Sequence, residues 1–224
     1  MSLLGVIGGM GVKATGRFYE MLTEMQPVST EQEYLDVLIY SKPSIPDRTA
    51  YITGQSQVNP LESLLRSAKV LEEAGATCIA MPCVTAHFFY EPLAQGLGVP
   101  VLNMLEATAQ YSVSRGYSKV GLLATDGTIH GGLFHKALAD IETIVPDAKG
   151  QQAIMDLIYA IKCGKAIDID ASLDTAAASL YAEGAQAVIL GCTELSLPRK
   201  AQGGPYIDAM AVLAEVALAA CKYK

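Results

Sequence analysis

The chain repeats itself, and that constrains its fold more than any other feature. A shift of 109 residues lays Leu64 on Leu173, Ala68 on Ala177, Leu71 on Leu180, Gly75 on Gly184, Ala76 on Ala185 and Cys83 on Cys192. A shift of 116 lays Gly5, Val6, Ile7 and Gly11 over Gly121, Leu122, Leu123 and Gly127, with Phe18 over Phe134 and Leu22 over Leu138. Each copy reads as a helix, a glycine stop, a buried strand and a cysteine. The expected class is therefore α/β, in two similar halves, each with one cysteine at the carboxyl end of a strand.

Continuous apolar runs such as Leu3 to Ile7, Lys119 to Ala124 and Ala187 to Leu190 suit strands buried on both faces of a parallel sheet. Further strands are expected at Tyr34 to Tyr40, Thr77 to Met81, Val99 to Leu102 and Tyr206 to Ile207. Helical spacing falls between Gly11 and Pro27, at Pro60 to Ala74, Thr85 to Gln95, Glu106 to Arg115, Leu133 to Asp140, Gln151 to Lys162, Leu173 to Glu183 and the closing segment. Parallel sheets receive ligands at the carboxyl ends of their strands, which is where both repeated cysteines fall.

At 224 residues the core is ample, and 51% hydrophobic against 17% charged residues fits buried sheets and a homodimer interface. A net charge of -7 without a Lys/Arg cluster argues against nucleic acid or an anionic membrane as partner. The apolar segment from Ala209 to Cys221 contains Glu215 and is too short to span a bilayer, and with a first strand beginning near Ser2 no signal peptide is expected. Five cysteines without a CxxC pair resemble neither a disulfide framework nor a zinc site, so a reducing cytoplasm is expected. Cys78, Cys163 and Cys221 read as small core residues.

The turn Gly8-Gly9-Met10-Gly11 lacks the Rossmann spacing and a P-loop lysine, and suits a tight turn beside a small acid. In the two-proline loop Ser41 to Thr49, Arg48 caps the next helix, pairs with Asp47, or sets a planar cationic fork in a cleft for a carboxylate. Two thiols facing one molecule from opposite sides, one ionised and one not, could remove a proton from a carbon and return it on the other face. A helix start after each cysteine is expected to favour the thiolate. Hydrolysis by Cys83 with His87 is the alternative, but it leaves Cys192 idle, finds no acid to orient the histidine, and gives way to a neutral surface or cap histidine. His130 and His135 have no metal-ligand spacing.

Gly8 to Gly11, Pro46-Asp47-Arg48-Thr49, Cys83-Val84-Thr85-Ala86-His87 and Gly191-Cys192-Thr193-Glu194-Leu195 together resemble, in this order, the motifs of the aspartate/glutamate racemase family. The resemblance runs from end to end. It implies two α/β domains related by a pseudo-twofold, with the substrate in the cleft between them: residues 1–104 plus 206–224 carrying Cys83, and residues 105–205 carrying Cys192. It further implies a cofactor-independent, metal-free racemase of an acidic amino acid, commonly a homodimer. Cys83 would serve the D face and Cys192 the L face. Lys162, in Ile161-Lys162-Cys163-Gly164, is similar in setting to the lysine that holds the side-chain carboxylate together with the loop arginine. Met10, Arg48, Val84, Thr85, Lys162 and Thr193 are thus the expected substrate contacts.

Val84 stands where the family has asparagine, and it cannot donate a side-chain hydrogen bond to the α-carboxylate. Backbone N-H groups and the Thr85 and Thr193 hydroxyls are left for that task. Two other readings stay open: cis-trans isomerisation of a dicarboxylate such as maleate by the same cysteines, and a non-catalytic acid-binding relative.

Overall fold

The structure is a computed structural model that describes residues 2–165, 168–197 and 205–221. In chain order, β1 (Leu3–Gly8), α1 (Val12–Glu24), β2 (Asp36–Ser41), α2 (Arg48–Ile52), α3 (Leu61–Glu73) and β3 (Cys78–Ala80) build the first sheet and its covering helices. A 3₁₀ turn (Thr85–Phe89), α4 (Tyr90–Gln95) and α5 (Met104–Ser114) lead to the second sheet. There follow β4 (Lys119–Ala124), α6 (Asp126–His130), α7 (Leu133–Ala137), β5 (Glu142–Ile144), α8 (Ala148–Lys162), α9 (Ile169–Ala182) and β6 (Ala187–Gly191). A second 3₁₀ turn (Thr193–Ser196), β7 (Tyr206–Asp208) and α10 (Ala209–Cys221) end the chain.

The strands run in the orders β2-β1-β3 and β5-β4-β6-β7, all paired parallel. The two sheets share their registers. Gly5 opposes Ile79 as Gly121 opposes Val188, and the Thr77 N-H donates to Leu3 O as the Gln186 N-H donates to Lys119 O. Glycine is needed at the centre of both copies for one steric reason: a Cβ on Gly5 would lie 3.1 Å from Leu71 Cβ, and one on Gly121 would lie 3.0 Å from Leu180 Cβ.

Successive strand residues point to opposite faces. Leu4 and Val6 join Val120, Leu122 and Ile189 in one core, under α1, α5 and α10. Ile7 and Ile79 instead pack with Leu64 and Leu71 of α3, and Leu123, Val188 and Leu190 pack under α8 and α9. Both faces of each sheet are therefore covered, which accounts for the unbroken apolar runs.

Several sequence expectations are corrected. Residues 206–208, assigned to the first half, hydrogen-bond to β6 in the second sheet, while α10 packs on α1 and α5 as well as on β6. The division at residue 205 also runs into residues 198–204, which lie outside the described residues, as do 222–224. Thr85 to Gln95 is not one helix but a 3₁₀ turn followed by α4, and Val99 to Leu102 contributes only a parallel bridge between Val101 and Ile79. The strand β5 and the short helix α2 were not expected. Cys163 is exposed at the end of α8, whereas Cys78 and Cys221 are buried as expected. Among the described residues no helix is long and apolar enough to cross a membrane.

Candidate active site

Each sheet diverges at its first strand, since the chain leaves β1 for β2 on one side and β3 on the other, and leaves β4 for β5 and β6 in the same way. Such a switch opens a crevice at the carboxyl ends. The turn after β1 supplies Met10, the turn after β3 supplies Cys83, Val84 and Thr85, and the turn after β6 supplies Cys192 and Thr193; all line one small cavity. Arg48, from the loop after β2, and Lys162, from the end of α8, line it as well. Every residue expected at the site from the sequence thus borders a single space between the two halves.

Arg48 is 8% exposed and opens α2, whose N-cap is Asp47: the Asp47 carboxylate accepts from the Ala50 N-H at 2.8 Å. Arg48 is neither the cap nor, among the described residues, ion-paired with Asp47. Its Nη1 donates to Ile45 O at 3.2 Å and Pro46 O at 2.9 Å, while Nε is buried with no partner among the described residues. One corner of the fork braces the loop and the other edge stays free. Burial works against the charged Lys162 ammonium, but attraction from Cys192, Glu194 and Cys83 outweighs it and raises its pKa.

The two thiols have different neighbours. Cys192 Sγ donates to Glu194 Oε2 at 3.1 Å, and burial first, then the Glu194 charge, push its pKa well above the ordinary thiol range, against the pull of Lys162. The expected help from a helix start does not prevail here, because the element that follows is a four-residue 3₁₀ turn without a long axis of aligned dipoles.

Beside Cys83, the His87 ring is 4% exposed, not on the surface. Its Nε2 accepts from the Met104 N-H at 3.1 Å, the first residue of α5, which leaves the proton on Nδ1, 2.9 Å from Cys83 O. Burial lowers its pKa, so it is a neutral clamp. With both nitrogens bound to backbone, it has no lone pair for the Cys83 sulfur, and the cysteine-histidine hydrolase reading falls.

Val84 is buried in the cavity wall and presents only methyl groups; its counterpart in the repeat is Thr193. Thr85 Oγ1 lies 2.9 Å from Thr125 Oγ1 and 3.0 Å from Thr128 Oγ1, so this hydroxyl cluster ties the turn after β3 to the turn after β4. A Cβ on Gly127 would come to 2.8 Å from Thr49 Cα, which shows how closely α6 approaches α2 there.

The sequence reading missed Asp47, Thr49, Thr125 and Glu194 as lining residues. Glu194 had a local explanation as a helix-start carboxylate, yet it turns toward Cys192. Its place in the repeat, over Thr85, was the available signal. Among the described residues no group of three or more His, Cys, Asp or Glu is placed to hold a metal ion.

Comparison with known proteins agrees with this architecture over its whole length. The chain is 28% identical over 220 residues to the broad specificity amino-acid racemase RacX of Bacillus subtilis, covering 95% of each chain. Its structure superposes on the aspartate racemase of Picrophilus torridus with a TM-score of 0.84 and 27% identity, covering 100% of this chain and 96% of that one. The fold also matches glutamate racemase from Francisella tularensis in complex with D-glutamate, at a TM-score of 0.67 and 17% identity, over 98% of this chain and 80% of that one. The family model described as Asp/Glu/Hydantoin racemase matches residues 7–217, and the chain belongs to that family.

Proposed function

We propose that the chain racemises an acidic amino acid, aspartate first and glutamate second, by proton transfer between Cys83 and Cys192 without a cofactor. The observation that carries this reading is that the two strand-end cysteines border one cavity together with Arg48 and Lys162. In each turnover one thiolate takes the α-proton to become a thiol, and the electron pair of the broken C-H bond stays on the substrate as a carboxylate-stabilised carbanion. The opposite thiol then gives its proton to the other face and becomes the thiolate. The carbon is inverted and no proton is gained or lost.

Cys192 starts as the acid, because burial and Glu194 hold its proton. Cys83 is then the starting base, and if Cys83 serves the D face, the resting form is the one that converts D to L. A substrate carboxylate about 6 Å from a thiolate repels it by roughly 3 kcal/mol at an effective dielectric near 20. Arg48 and Lys162 offset that repulsion and select a second carboxylate over an apolar side chain. With Val84 unable to donate, the α-carboxylate is left to backbone N-H groups and to the Thr85 and Thr193 hydroxyls. A homodimer in a reducing cytoplasm, where all five cysteines stay as thiols, belongs to the same reading.

The test incubates the protein with L-aspartate, D-aspartate and L-glutamate in deuterated water and follows α-proton loss by NMR. Exchange with inversion is expected for at least one acid, and Cys83→Ser or Cys192→Ser lowers inversion by about 10²- to 10⁴-fold. Wild-type inversion by both variants ends the two-cysteine mechanism.

A further inference from the structure

Glu194 is the buried charge that proton transfer between the thiols leaves half-used. The residue is 3% exposed and lines the cavity beside Cys192. Oε2 accepts from the Cys192 thiol, but Oε1 is buried and meets no donor among the described residues. An ionised oxygen held away from water without a donor is costly. Neither Arg48 nor Lys162 forms an ion pair with it among the described residues. The chain also leaves room beside it: a Cβ on Gly11 would come to 2.8 Å from Oε1, so the glycine turn presents bare backbone there. Lys162 is near enough to attract the Glu194 charge, so the unmet demand is for an N-H donor placed at Oε1 itself.

We propose that Glu194 Oε1 receives the α-ammonium group of the substrate and is the residue by which this site tells an amino acid from its desamino dicarboxylate. The proposal rests on the racemase reading and deepens it. The charges are complementary to that class, with Arg48 and Lys162 for the carboxylates and Glu194 for the ammonium. The geometry also puts the reacting carbon in place. The ammonium nitrogen is bonded to Cα, so a nitrogen within hydrogen-bond reach of Oε1 sets Cα beside the sulfur that shares the same carboxylate. A bound ammonium further offsets the Glu194 charge, which after burial is the next cause holding the proton on Cys192. The thiol is thereby eased toward ionisation only when an amino acid is bound.

Calorimetric titration with L-aspartate and with succinate, which has hydrogen in place of the ammonium, tests this directly; L-glutamate and glutarate form a second pair. The wild type is expected to bind the amino acid about 10- to 100-fold more tightly than its desamino partner in at least one pair. Glu194→Gln is expected to narrow that ratio to about threefold or less, chiefly by weakening the amino acid. A wild-type ratio within about threefold in both pairs overturns the proposal and needs no variant, and so does a wild-type ratio retained by a folded Glu194→Gln protein. Deuterium exchange at Cα, run alongside, separates the two claims. Exchange with an unchanged ratio removes Glu194 from ammonium recognition and leaves the racemase reading standing. A ratio that collapses in the variant, with no exchange in the wild type, supports ammonium recognition and removes the racemase reading.

Discussion

Arg48→Lys separates the two jobs assigned to one guanidinium. In the structure Nη1 holds the loop through Ile45 O and Pro46 O, and Nε has no partner among the described residues. A carboxylate can therefore dock side-on against the free edge while the loop stays braced. Lysine keeps the charge but has one nitrogen, which either braces the loop or meets the carboxylate. Losing one hydrogen bond between charged groups costs about 1.5–3 kcal/mol, so aspartate should bind about 10- to 100-fold more weakly. Arg48→Met also removes the charge, worth roughly 3 kcal/mol at about 6 Å and an effective dielectric near 20, and should weaken binding by about a further hundredfold. Calorimetry with L-aspartate and L-asparagine, combined with thermal unfolding, reads the outcome: the preference for aspartate over asparagine should collapse. If Arg48→Met lowers the melting temperature yet leaves that preference within about threefold of wild type, Arg48 is a loop brace and the carboxylate argument is wrong.

Further outcomes follow from other parts of the site. Because folding raises the Cys192 pKa, the folded chain keeps a proton that the unfolded chain releases above about pH 8.5, so stability should fall as pH rises past that value; urea melts under reducing conditions should show the slope, and Cys192→Ser should reduce it, the remainder coming from Cys78, whose pKa its hydrogen bond to Cys221 and burial also raise. Gly9 has φ +92°, and a Cβ there would lie 2.5 Å from the Lys42 carbonyl carbon and 2.7 Å from Pro43 N. Gly9→Ala should therefore cost about 3 kcal/mol or more in urea unfolding, since backbone cannot rotate aside, and a cost under about 1 kcal/mol refutes the steric reading. His87→Phe leaves the Met104 N-H unpaired in the interior and takes one of the two hydrogen bonds from Cys83 O, which keeps the Ala86 N-H, for a loss of about 1–3 kcal/mol. His87→Gln should recover part of it, and a Phe variant as stable as wild type excludes the clamp.

The repeat made the sheets and their registers legible, because buried parallel strands write unbroken apolar runs and the glycine stops recur at fixed distances. What escaped notice was short or non-local. The strand β5 is three residues, Glu142–Ile144, partly exposed and paired only with β4, so it writes no apolar run. The helix α2 spans five residues inside a loop with two prolines. The pairing of β7 with β6 joins segments separated by a stretch whose composition gives no hint of its return. At the site, the cysteines and cations were legible as chemistry at strand ends. Glu194 was not, because sequence shows a carboxylate near a helix start but does not show which carboxylates are buried.

The two sulfurs occupy equivalent points of the repeat in surroundings that are not equivalent. Two residues after Cys192 stands a carboxylate, whereas two residues after Cys83 stands Thr85, whose hydroxyl is shared with Thr125 and Thr128. Four residues on, the positions hold His87, spent on two backbone groups, and Ser196, which donates to Asp208 Oδ1 at 2.6 Å. A proton shared between two thiol sites settles where the nearby charge is more negative. The hydroxyl carries no charge, so at Cys192 Glu194 adds to the burial that already holds the proton there. In the two-base reading that asymmetry is what a duplicated fold lacks on its own: two like halves give two opposed bases, and burial together with one carboxylate in place of a hydroxyl favours Cys192 as the one that begins as the acid.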